Sequence, residues 1–226
     1  MRIRLFSLLI LWLCCTEISA QQELNIIQLD RTDGLSQNSV FAITQDGDGF
    51  LWFGTRSGLN KYDGVNFTVY RHGMDRADQL ISNDIRELYF DEPSGLIWIG
   101  TTDGLSSYDP IKEAFQQYQF PDARKQLAPS VSSICSDHTN KLWIGSRTGL
   151  HYIEQGELHS LPLSYMVGNI TALEEDSYQQ LWIGTNKGLF ILDESRRQIL
   201  PFSIHNNQNL YIKDIHKDRA GAIWVG

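Results

Sequence analysis

An all-β fold made of repeated antiparallel units is what the sequence predicts, and three observations predict it. A run of the form Leu-Trp-Ile-Gly-Thr-x-x-Gly-Leu keeps returning, with tryptophans at 52, 98, 143, 182 and 224, a period of 39 to 46 residues. Each copy sits among short β-branched and aromatic runs broken by Asp-Gly, Ser-Gly and similar pairs, the chemistry of tight hairpins. Composition, 42% hydrophobic and 20% charged, suits a packed globular chain. A repeat of this length holding four short strands is one blade of a β-propeller. The sequence therefore predicts four-stranded antiparallel blades at about 38–70, 83–118, 130–161, 169–203 and 210–226, about four and a half in all, forming an incomplete ring.

The first element is a secretory signal over residues 1–20. Arg2 and Arg4 precede an apolar run from Leu5 to Cys15, and Ser19-Ala20 supplies small residues for cleavage. The run is short of the roughly 20 residues a spanning helix needs. Leu13 before Cys14, and Cys14 before Cys15, stand where a lipidation site wants a small residue. Cleavage removes two of the three cysteines and leaves Cys135, so no internal disulfide is expected. Export to the periplasm follows, for a domain held by its core alone.

Residues 24–29 alternate enough to be a strand, which would lend itself to the final blade and clasp the ring shut. In the first unit the strands are expected at residues 40–43, 51–54, 59–62 and 66–70, separated by turns at Asp46-Gly47-Asp48-Gly49, Ser57-Gly58 and Asp63-Gly64. The second unit repeats the plan at residues 85–90, 96–100, 105–108 and 114–118. The third and fourth start near Val131 and Ile170, and the fifth near Leu210. Trp52, Trp98, Trp143, Trp182 and Trp224 would fill the wedge between neighbouring blades, and Gly54, Gly100, Gly145 and Gly184 would let their strands end in a close turn.

The full pattern, with the Tyr-Asp that closes it at Tyr62-Asp63 and Tyr108-Asp109, resembles the two-component regulator propeller repeat. The third unit departs with Ser146 for Thr. The third and fourth units lack the closing pair, having Tyr152-Ile153 and Ile191-Leu192 instead. The resemblance implies an exported sensor whose propeller feeds a membrane helix and then a histidine kinase or diguanylate cyclase. On that reading the chain is the N-terminal part of a longer protein, not an enzyme itself, tethered to the membrane only through the remainder and possible as a dimer when whole.

Candidate chemistry in the chain is sparse. Asp46-Gly47-Asp48-Gly49 has Ser57 where a calcium loop needs its bidentate Glu, so it reads as a hairpin. His72, His138, His151, His159, His205 and His216 have no metal-ligand spacing and are expected on the surface, and Cys135 is expected as a buried small hydrophobe. No cofactor is expected. A net charge of −8 without a basic stripe argues against nucleic acid. Binding residues are better sought in loops. Arg56, Asp103, Arg147 and Lys187 occupy matched turns between second and third strands yet differ in charge, as a site built from non-identical blades would. The partner expected is a small molecule or carbohydrate. A propeller lyase or glycosidase would need paired carboxylates converging on the channel, which the linear sequence does not show; a protein-binding scaffold is the remaining class.

Overall fold

The computed structural model describes residues 26–73, 80–121, 128–161, 168–193, 195–203 and 210–226. The expected signal over residues 1–20 lies outside them, as do parts of the links between blades. The first sheet orders β1 (Val40–Gln45), β2 (Leu51–Thr55), β3 (Gly58–Tyr62) and β4 (Phe67–Tyr70) consecutively and antiparallel. The second holds β5 (Ile85–Asp91), β6 (Leu96–Thr101), β7 (Leu105–Asp109) and β8 (Ala114–Tyr118). The third holds β9 (Val131–Ser136), β10 (Leu142–Ser146), β11 (Gly149–Glu154) and β12 (Glu157–Ser160), and the fourth β13 (Ile170–Glu175), β14 (Leu181–Thr185), β15 (Gly188–Leu192) and β16 (Ile199–Phe202). A fifth, two-stranded sheet pairs β17 (Ile215–Lys217) with β18 (Ile223–Val225). The chain is all-β, and the four-stranded sheets are propeller blades whose first strands, β1, β5, β9 and β13, neighbour one another along the inside of an arc.

The core lies between blades rather than within them, because each sheet has two faces and every face needs a neighbour to cover it. Trp52, Ile85, Leu88, Ile97, Ile99 and Tyr108 join blades one and two, and Trp98, Val131, Ile134 and Ile144 join two and three. Trp143, Ile170, Leu173 and Ile183 join three and four. Each tryptophan thus points at the next blade. Trp52, Trp98 and Trp143 are buried, whereas Trp182, facing the two-stranded sheet through Ile212 and Ile215, is half-buried. Trp224 is 64% exposed. Burial of this residue is set by what the adjacent sheet offers, not by the repeat itself.

Two expectations need correction. The described part of residues 24–29, from Ile26 on, forms no strand, and Ile26 and Ile27 are exposed. Alternation alone cannot make a strand without an edge to pair with. The chain enters instead through a one-turn 3-10 helix, Arg31–Asp33, capped when Asp30 accepts from the Thr32 N–H and Asp33 accepts from the Asp30 N–H. Ser36 then fastens this entry to blade one, its N–H donating to Asn60 Oδ1 at 2.8 Å and its hydroxyl 2.8 Å from that of Thr55.

The glycine two residues after each tryptophan is the second correction. None of Gly54, Gly100, Gly145 and Gly184 has a left-handed φ, so the turn does not require them. A Cβ on them would lie 2.6, 2.7, 2.5 and 2.7 Å from Ile85, Val131, Ile170 and Ile212; the first three open the next blade's inner strand, and Ile212 stands three residues before β17. Close approach of consecutive blades is the reason for glycine there. The turn glycines are the separate set Gly58, Gly104, Gly149 and Gly188, all at positive φ.

Candidate functional site

The pairing of β1 with β2 breaks register between Val40 and Ala42, and the same break recurs between Ile85 and Glu87, Val131 and Ser133, and Ile170 and Ala172. Each break is a β-bulge, which takes one residue out of the ladder and re-aims its side chain. The residues so displaced are Phe41, Arg86, Ser132 and Thr171. They start the inner strands at the same rim where the turns between second and third strands lie, since Thr55 pairs with both Val40 and Gly58.

Between these bulges and turns lies a cavity of about 470 Å³ lined by Phe41, Arg86, Thr102, Ser130, Ser132 and Arg147. Three blades contribute to it. Arg56 and Arg86 each place their guanidinium carbon 5.1 Å from the Phe41 ring centroid, within cation–π reach. Asp84 holds Arg86 by an ion pair at 2.9 Å, and its other carboxylate oxygen is buried without a partner. The Ser132 hydroxyl donates to the Ile170 carbonyl at 2.5 Å, which ties blade three to blade four.

Of the four turn residues chosen from sequence, all are exposed in equivalent turns. Arg147 lines the cavity and Arg56 reaches it through Phe41. Asp103 sits beside it, 3.4 Å from the Thr102 hydroxyl, and Lys187 is in the corresponding turn of blade four away from it. Sequence reasoning missed Phe41 and Arg86. Their signal was the position directly after Val40 and Ile85, matched by Ser132, Thr171 and Lys213 after Val131, Ile170 and Ile212.

A second cavity, about 480 Å³, is the channel between inner strands of blades two to four and the fifth sheet. Glu87, Tyr89, Glu174, Glu175, Asp214, Lys213 and Lys217 line it with Cys135. Burial, reinforced by the Asp214 charge, pushes the Glu87 carboxyl up to about 8. Burial, and then the neighbouring Glu174 and Glu175 carboxylates, push the Cys135 thiol well above its ordinary range. Cys135 is half-buried on the channel wall rather than fully buried, and its protonated sulfur is no nucleophile. Among the described residues no cluster of three or more His, Cys, Asp or Glu is arranged to hold a metal ion. His151, expected on the surface, is buried, with Nε2 3.0 and 3.1 Å from the Ser146 and Thr148 hydroxyls and Nδ1 3.0 Å from that of Ser160. It fills the slot that Asn60, Ser106 and Phe190 fill in the other blades.

The Glu87 carboxyl makes a pH prediction. Below pH 4.5 it is protonated folded and unfolded alike; between 4.5 and about 8 only the unfolded chain releases the proton, so native stability falls as pH rises through that window. Melting profiles of the wild type and Glu87→Gln are expected to diverge there, the variant gaining relative to wild type by a few degrees at pH 8. Parallel profiles from pH 5 to 9 would show that Glu87 ionises freely in the channel.

The two-component regulator propeller family matches residues 34–57 and 164–187. A histidine kinase, P4, of Formosa agariphila is 52% identical over 48 residues, covering 21% of this chain and 4% of that protein. The extracellular domain of a putative hybrid two-component system of B. thetaiotaomicron superposes with a TM-score of 0.75 at 31% identity, covering 88% of this chain and 29% of that one. A second such extracellular domain from the same organism gives 0.71 at 25% identity, covering 83% and 26%. This chain therefore spans less than a third of either domain. Virginiamycin B lyase of Staphylococcus aureus, with a TM-score of 0.65 at 16% identity over 82% of this chain and 62% of its own, shares the fold.

Proposed function

We propose, from the premise that this chain carries two-component regulator propeller repeats, that it forms part of an exported, ligand-sensing input domain of a transmembrane signal-transduction protein. The ligand is a carbohydrate or another small molecule. The observation that carries the reading is the 31% identity with an extracellular two-component domain over 88% of this chain. The rim cavity supports it physically. A ligand seated among residues of blades one, two and three favours one relative arrangement of those blades, and a preference of that kind is what shifts a conformational equilibrium. Histidine kinase or diguanylate cyclase output belongs, on this reading, to other parts of the protein. No reaction is assigned to the channel carboxylates.

The test is a thermal-melt screen of the purified chain against mono- and oligosaccharides. A ligand present at 100 times its dissociation constant adds about 2.7 kcal/mol. For a domain of this size that is on the order of 5–10 °C. A sugar that raises the midpoint by this amount, and whose effect Arg147→Gln diminishes, is the expected result. A folded chain whose midpoint no sugar moves would remove the carbohydrate reading.

A further inference from the structure

Arg86 and Arg147 come from different blades and both line the rim cavity, and among the described residues no carboxylate lines it. Arg86 is fixed in place by Asp84, so part of its charge is already balanced. Arg147 is exposed, and among the described residues no carboxylate lies within ion-pair distance of it. The hydroxyl-bearing residues Thr102, Ser130 and Ser132 complete the polar wall. Phe41, 42% exposed, offers an apolar ring beside the guanidiniums. In a chain of net charge −8 this is a local concentration of the opposite sign, on a rigid frame of bulges and hairpins.

We propose that the rim cavity selects an anionic ligand, one bearing a carboxylate or sulfate group that Arg147 and Arg86 grip while an apolar face of the ligand lies on Phe41. The inference rests on the ligand-sensing reading above and narrows it to a charge class. A planar guanidinium matches two oxygens of a carboxylate or sulfate at once, which an ammonium cannot. A neutral ligand would offer Arg147 only uncharged acceptors such as hydroxyl oxygens, whose hydrogen bonds are weaker than those of an anion.

Titration calorimetry with three probes tests it: an oligogalacturonate, the neutral galactose oligomer of the same length, and inorganic sulfate, each at low and at physiological ionic strength. The acidic oligomer is expected to bind at least about tenfold more tightly than the neutral one, and Arg147→Gln to weaken it about 10–100-fold, the range of a lost charge-assisted hydrogen bond. Its melting midpoint should stay near that of the wild type, since the side chain is exposed. Phe41→Ala should weaken the oligomer and leave sulfate unaffected. Equal binding of neutral and acidic oligomers, indifferent to Arg147→Gln, overturns the anion inference and leaves the sugar-sensing reading standing. Sulfate binding with neither oligomer bound does the reverse. Binding of none of the three overturns the anion inference.

Discussion

Gly145→Ala is expected to lower stability by about 3 kcal/mol, the upper end of what overpacking a filled interior costs. The added Cβ would stand 2.5 Å from Cγ2 and 3.3 Å from Cβ of Ile170, both on the buried strand that opens blade four. Neither atom is the far end of a flexible side chain. Ile170 cannot swing away without moving β13, whose carbonyl at this residue is held by Ser132. In thermal melts the loss amounts to roughly 6–12 °C for a domain of this size. The steric origin makes a further demand. Ile170→Ala removes the offending methyl, so the double variant should be more stable than the sum of the two losses predicts, by at least about 1 kcal/mol of coupling. Strict additivity would mean that the glycine is needed for its backbone freedom after all.

That correction shows which parts of the molecule sequence can disclose. The tryptophan period and the hairpin pairs are local, and the strands of the four-stranded sheets follow them, whereas the fifth sheet opens at Ile215 rather than near Leu210. What lies between blades is not local. Gly145 and Ile170 are 25 positions apart, and nothing near the glycine says that an isoleucine will rest on it. The same limit explains why identical tryptophans range from fully buried at Trp52 to 64% exposed at Trp224.

The rim cavity was half legible for a related reason. Turn residues such as Arg147 can be read from matched hairpins, but Phe41 and Arg86 are aimed by bulges, and a bulge breaks the period-two alternation from which side-chain direction is inferred. The strand expected over residues 24–29 failed in the opposite sense: its pattern alternates, yet the described residues from Ile26 on join no ladder. His151 shows a third limit, because a buried imidazole satisfied by three hydroxyls is indistinguishable in sequence from an exposed one.

Asp137→Ala is expected to cost on the order of 3 kcal/mol, and Asp91→Ala less than about 1 kcal/mol, although both replace an aspartate where an inner strand meets its hairpin turn. Asp137 Oδ2 accepts the indole N–H of fully buried Trp143 at 2.8 Å, while Oδ1 accepts the N–H groups of Thr139 and Lys141 that close the hairpin. Asp46, Asp176 and Asp218 repeat this set with Trp52, Trp182 and Trp224, always six residues downstream and at 2.8 Å. In blade two Asp91 is itself paired in the ladder, opposite Leu96, so Trp98 stands seven after it, and the Trp98 indole nitrogen is buried without a partner. Truncating Asp137 would therefore create the orphan donor that blade two already carries, and would release two turn N–H groups besides. Burial works against the Asp137 charge, but the hydrogen bonds from Thr139, Trp143 and Lys141 outweigh it and hold the carboxyl below its ordinary range. Its contribution is accordingly present at neutral pH and lost as pH falls through that lowered value, so the gap between wild type and Asp137→Ala should narrow in acid. Thermal melts of both variants at neutral pH and near pH 3 read this directly. Equal losses from the two substitutions would show that the aspartates serve the hairpins alone and that the tryptophan hydrogen bond adds nothing to the blade.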